Sequence, residues 1–374
     1  MYIEPFGVEL WMNEFETRCE FNLAETCVDS LTVAELLAFA NLTGGELVEQ
    51  LLPIRLDYGA IEGSQRLRTA IAALYETIPA ERTLVTHGAI GANSLVHQTL
   101  VGAGNRVVTL VPNYQQHRSI PESLGADVHC VSLRPENRYL PDLDELAAAA
   151  PAGTTLIALS NPNNPTGSLI EGAMLEGVVQ IARDCGAYLL FDEVYRGTDQ
   201  HGDGTTASVA DIYDRGISTG SMSKAFSLAG LRLGWIAGPG DVLKRVSLHR
   251  DYNTISVGVI DDHLACLALE NAAQILGRSR AITRRNLGLL GDWIASEPSL
   301  SWVRSRSGTT ALVNYDLPMA SRDFCVALLR ETGVLFTPGS VLGVEGTIRV
   351  GYANHVEVLA EGLSRTSAFL AAHC

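Results

Sequence analysis

Ser221-Met222-Ser223-Lys224 sets a lysine behind two hydroxyls, and Arg232 follows in the same Gly/Ser-rich stretch. A lysine amine can form a Schiff base with a carbonyl on a cofactor or substrate. Hydroxyls and a guanidinium beside it suit a phosphate. Taken alone, the stretch reads equally well as a solvated loop lysine. Phe191-Asp192-Glu193-Val194-Tyr195 sets an acid and a phenol three residues apart after an apolar run. Such a pair could hold an aromatic cofactor by its ring nitrogen and hydroxyl; a helix N-cap aspartate before a core tyrosine is the plainer alternative. Asn161-Pro162-Asn163-Asn164-Pro165-Thr166-Gly167 is a turn by its residue types. Three such motifs in this order, each after a strand, are hard to dismiss as coincidence.

The elements that must position them alternate. Short β-branched, nearly continuous apolar runs at 106–111, 126–131, 155–159 and 187–191 predict strands covered on both faces. Residues 216–220 and 233–237 could be two more, and helical stretches such as 175–185 lie between. This predicts an α/β fold: a three-layer domain with a mostly parallel sheet. Ligands of such sheets sit beyond the carboxyl ends of the strands. After residue 260 the texture changes to a long helical pattern from Asp261 toward Ser296. Strands at 309–313, 333–336 and 347–350 and a closing helix at 357–372 follow. We expect a large domain over 40–255 and a smaller α+β domain made from both chain ends, 1–39 and 256–374. Val8, Trp11, Met12 and Phe15 have the spacing of a docked helix.

Composition removes several classes of function. The 374 residues carry 27 basic and 42 acidic side chains, a formal charge of −15, which disfavours nucleic acid and anionic membrane surfaces. No run of eighteen apolar residues predicts a membrane span, and the acidic start lacks the basic region of a signal peptide. Seven scattered cysteines without a CxxC spacing suggest reduced thiols in a cytoplasmic protein. The nine histidines show no ligand spacing, so no protein metal site is expected.

In combination, the three motifs resemble the pyridoxal-phosphate enzymes of aminotransferase class I/II, also called fold type I, over about Tyr58 to Arg349. The resemblance implies pyridoxal 5'-phosphate as cofactor and a free α-amino acid as substrate, acted on through an external aldimine and Cα deprotonation. It implies Lys224 as the cofactor-linked lysine and general base, and Asp192 as partner of the pyridine nitrogen. Tyr195 and Asn164 match the residues that bond the phenolic oxygen, and Ser221 and Arg232 match phosphate ligands. The Thr86–Ile90 turn, with Gly88, Ala89 and Ile90, resembles the phosphate-binding glycine turn at a helix start. Tyr114 matches the aromatic stacked on the ring. Tyr58 matches a tyrosine reaching the other subunit's phosphate, which implies a homodimer. Arg349, with Asn164, matches the grip on the α-carboxylate. Burial and nearby cations should lower the pKa of Lys224.

Two regions depart from that pattern. The segment Phe21–Ser30, where relatives often carry a glycine-containing loop, has none but carries Glu25 and Asp29. These either cap and solvate the segment or face a cationic substrate such as a guanidinium. Arg250, followed by Asp251 and Tyr252, lies near where dicarboxylate-specific relatives place a substrate arginine of the partner subunit. With Leu133–Asn137 and Pro141–Leu146, that stretch looks like the capreomycidine synthase-like enzymes, which eliminate and cyclise a hydroxylated arginine. The expected function therefore leans to an arginine-like substrate and elimination with cyclisation, as in antibiotic biosynthesis. An ordinary amino-acid:2-oxo-acid aminotransferase is the alternative. An amino-acid-sensing regulator is a remote one, since it would need a DNA-binding module besides the catalytic fold.

Overall fold

The computed structural model describes residues 2–373. Seven strands form the main sheet, in the order Thr83–Thr86, Gly234–Ala237, Gly216–Ser221, Tyr188–Asp192, Leu156–Ser160, Arg106–Val111, Asp127–Ser132. Only Gly234–Ala237 runs antiparallel to its neighbours; the others lie parallel in consequence. Val107, Val108, Leu156, Ile157, Leu189, Leu190 and Ile217 are fully buried, because helices cover both faces. That burial is why these strands read as unbroken apolar runs.

A four-stranded antiparallel sheet holds Thr337–Pro338, Thr347–Gly351, Thr310–Tyr315 and Leu300–Trp302, in that order. The expected strand at 333–336 is shortened to Val334–Leu335, and a separate strand follows it. Val334–Leu335 pairs in parallel with Phe21–Asn22, whereas Thr337–Pro338 joins the four-stranded sheet. The long helical pattern is also two helices, Val259–Glu270 and Ala272–Ser296, broken at Asn271. Thr83–Thr86 was not expected as a strand; two of its four residues are threonines, and it is too short to show a period.

The first helix, Gly7–Phe15, is docked as its spacing suggests, with Trp11 and Phe15 in the core beside the smaller sheet. Trp11 Nε1 donates to the Phe336 carbonyl at 2.9 Å, and the Gly7 N–H donates to Gln115 Oε1 at 2.9 Å. The middle of this helix is thus tied to the smaller sheet's core and its N-terminus to the large sheet's loops. No helix among the described residues is long and apolar enough to cross a membrane.

Candidate active site

Five strand ends converge on one cavity. Parallel strands present their carboxyl ends at one edge, and the polar residues just beyond those ends are the expected site. Ile90 and Ala89 follow Thr83–Thr86, Tyr114 follows Arg106–Val111, and Asn164 follows Leu156–Ser160. Asp192 ends its own strand, and Lys224 follows Gly216–Ser221. All of these line a cavity of about 320 Å³, together with Tyr195, Ser221, Arg232 and Arg349.

Local structure aims each group. Gly88 starts the helix Gly88–Leu100 at φ +66°, in the left-handed region that favours glycine. A Cβ there would meet Arg232 Nη2 at 3.2 Å, so the turn and the guanidinium are closely packed. The free N–H groups at this helix start and Arg232 together favour an anion. Asn161 braces the Asn/Pro loop, donating to the Ile170 carbonyl at 2.9 Å and accepting the Ile170 N–H at 2.8 Å. That brace carries Asn164, whose Oδ1 accepts from Arg349 Nη1 at 3.2 Å. Arg349 Nη2 donates to the Ala24 carbonyl at 3.0 Å and Thr337 Oγ1 at 3.1 Å, but its Nε has no partner.

Asp192 is buried and held by neighbours far along the chain. Asn93 Nδ2 donates to its Oδ2 at 2.8 Å, and Thr219 Oγ1 donates to Asn93 Oδ1 at 2.7 Å. Burial lifts the Asp192 carboxyl to about 6 against these bonds and the nearby Lys224. Glu193, its neighbour, points elsewhere and accepts from Ser208, Ser218 and the Val209 N–H.

Lys224 departs from expectation. Its Nζ donates to Thr26 Oγ1 at 2.6 Å and approaches Cys27 Sγ at 3.6 Å. Burial works to lower its pKa, but Cys27, Tyr195 and Glu25 outweigh it and hold the amine above its ordinary value. Glu25 is likewise pushed up by burial but ends below its usual range, because Lys224 and the Cys27 and Thr26 amides dominate.

The other expected substrate contacts divide. Glu25 lines the cavity. Asp29 does not: its Oδ2 is paired with Arg278 Nη2 at 2.8 Å, which satisfies its charge inside its own chain. Arg250 is 1% exposed, away from the cavity, with Nη1 donating to the Val85 carbonyl at 3.0 Å. Its Nε and Nη2 have no partner among the described residues. Tyr58 is 68% exposed and does not line the Lys224 cavity. The Leu133–Leu146 stretch packs on the sheet's far edge, with Leu133 and Leu146 in the core and Asp142 capping a helix.

Sequence reasoning missed Thr26, Cys27, Asn93, Glu9 and Glu16. The last two line the cavity from the first helix and its end. The helical spacing of residues 8–15 was the available signal, but it cannot say what the polar side faces.

A buried amine and a buried carboxylate sharing this cavity, with an anion-favouring helix start in its lining, fit pyridoxal 5'-phosphate. The unpartnered Arg349 Nε beside them fits the carboxylate of an amino acid. Fold and site together define a pyridoxal-phosphate-dependent enzyme of the aminotransferase fold.

The chain belongs to the aminotransferase class I and II family, whose model matches residues 47–364. Its sequence is 31% identical to capreomycidine synthase of Streptomyces vinaceus, over 98% of this chain and 94% of that one. It is 29% identical to the arginine–pyruvate transaminase AruH of Pseudomonas aeruginosa, over 85% of this chain and 83% of the relative. A pyridoxal-phosphate-dependent aminotransferase from Streptococcus suis superposes with a TM-score of 0.97 at 39% identity, covering 100% and 99% of the two chains. The pyridoxal-phosphate-dependent cyclase OrfR superposes at 0.92 with 27% identity, over 100% and 99%.

Proposed function

We propose that this enzyme takes a free amino acid with an arginine-like side chain, removes its Cα proton, and expels a β-substituent with ring closure, in specialised metabolism. The observation that carries the substrate reading is one cavity lined by Arg349, Lys224 and the carboxylate of Glu25. Arg349 suits the α-carboxylate and Glu25 suits a distal cation. The likeness to a capreomycidine synthase and to a cyclase supports ring closure. The likeness to an arginine–pyruvate transaminase supports the same side chain with plain transamination as the second reading.

Bound pyridoxal phosphate supplies an aldehyde that bonds an amine and a ring that accepts the electron pair left at Cα. The chain's residues do the rest. Ser221, Arg232 and the Gly88–Ile90 turn would hold the phosphate. Asp192 would keep a proton on the ring nitrogen, while Tyr195 and Asn164 would bond the ring oxygen. Arg349 fixes the carboxylate and so orients the Cα–H bond. Lys224 takes the Cα proton and returns one. Expulsion of a hydroxyl from Cβ uses the electron pair freed at Cα, and a side-chain nitrogen then adds at Cβ, for a net loss of water. We propose further that the enzyme is a homodimer, with Tyr58 reaching the partner's phosphate site.

Incubation of the holoenzyme with arginine or β-hydroxylated arginine, with and without a 2-oxo acid, separates the readings. A cyclic product one water lighter, formed without an amino acceptor, is expected. Keto-acid formation with conversion of the cofactor to its amine form would instead establish transamination.

A further inference from the structure

Besides Asp192, three carboxylates, Glu9, Glu16 and Glu25, line the cavity that holds Lys224 and Arg349. None of them takes part in an ion pair among the described residues. Glu9 and Glu16 are two helical turns apart and so share a face, and Val8 and Met12 line the cavity from that same helix. The face is held in place because Gly7 ties the helix at its N-terminus and Trp11 at its middle. The Tyr114 hydroxyl also donates to Glu9 Oε1 at 3.3 Å.

A second observation points to a ligand in this cavity. Arg349 is 2% exposed, and its Nε is the one guanidinium nitrogen left without a partner. That free donor suits a carboxylate oxygen. A substrate with its carboxylate there and its amine near Lys224 has its side chain left to run along the remaining walls. The charged part of those walls is acidic, and the part between the charges is apolar.

We infer that Glu9 of the first helix and Glu16 just past its end, with Glu25, form the subsite for the cationic end of the substrate, a guanidinium, with Val8 and Met12 against its methylene stem. This deepens the arginine-like reading above and rests on it. Burial, then Glu25 and Glu9, hold the Glu16 carboxyl above its ordinary value. An incoming cation relieves that repulsion. Selectivity here is a difference between a charged and an uncharged side-chain end of the same shape.

Calorimetric titration of the holoenzyme tests this without turnover. One probe is des-aminoarginine, which keeps arginine's carboxylate and guanidinium but lacks the reactive amine. The other is des-aminocitrulline, its uncharged counterpart. The wild type should prefer the guanidino probe by about tenfold or more. The Glu9→Gln/Glu16→Gln double variant should cut that preference to about twofold or less, with the cofactor's visible band and the Tm retained. Each single Gln variant should lose about threefold, and Glu16→Asp should recover part of the loss. A double variant that keeps the wild-type preference would overturn the subsite while leaving the arginine-like reading intact. A wild type that prefers neither probe would overturn that reading, and the subsite with it.

Discussion

Lys224 Nζ donates to Thr26 Oγ1 at 2.6 Å across 198 residues of chain. The Val28 N–H reaches the Lys224 carbonyl at 3.4 Å, the Asp29 N–H reaches the Ala353 carbonyl at 2.8 Å, and Thr309 Oγ1 donates to the Thr26 carbonyl at 2.7 Å. The N-terminal segment is therefore strung between the lysine loop of the large sheet and the smaller sheet. It is also what brings Glu25 and Cys27 to the amine and keeps Lys224 charged.

Lys224→Ala should remove the visible absorbance of lysine-linked cofactor and all turnover. Borohydride reduction followed by peptide mass mapping should find the cofactor on Lys224 in the wild type only. A normal visible band in the variant would refute the assignment.

Asp192 makes stability depend on pH in the cofactor-free protein. Burial raises its folded pKa to about 6. The folded state therefore holds this proton more tightly than the unfolded state does. The associated stability is present at acid pH and is lost as pH rises from about 4 to about 6. Asp192→Asn should consequently gain about 3 kcal/mol over wild type at pH 7 and almost nothing at pH 4. Denaturant melts of the two cofactor-free proteins across this range measure it; a pH-independent difference would contradict it. In the same variant, activity should fall steeply, because a neutral amide does not hold the ring nitrogen's proton.

Arg349→Lys should raise KM for the amino acid by about tenfold to a hundredfold, because a point charge replaces a planar two-point grip. The cofactor's absorbance should stay as in the wild type. Steady-state kinetics with a spectrum of each preparation check both halves. An unchanged KM would remove Arg349 from the carboxylate site.

Tyr58→Phe should weaken cofactor retention, even though Tyr58 is 68% exposed and lies outside the Lys224 cavity of its own chain. The expectation follows only if a second copy brings this hydroxyl to the phosphate. Equilibrium dialysis of the cofactor, with sedimentation to establish the dimer, is the measurement. A fully active monomer would exclude a shared site.

The large sheet and the residues at its strand ends were legible because both signals are local. A strand covered on both faces reads as a continuous apolar run, and Lys224, Asp192 and Asn164 each follow one within a few residues. The strand Thr83–Thr86 was lost for the same reason: four residues with two threonines show no pattern to a local reading. Asp29 looked available because its partner, Arg278, is far along the chain, and the burial of Arg250 against the Val85 carbonyl is likewise a contact between distant segments. Thr26, Asn93, Glu9 and Glu16 were silent for the converse reason. Side-chain types and short-range periods are written in the chain, so the sequence determined the chemistry of the cofactor site. Which carboxylates are already neutralised and which remain open to a substrate depends on contacts between distant segments, and only the packed tertiary structure decides those.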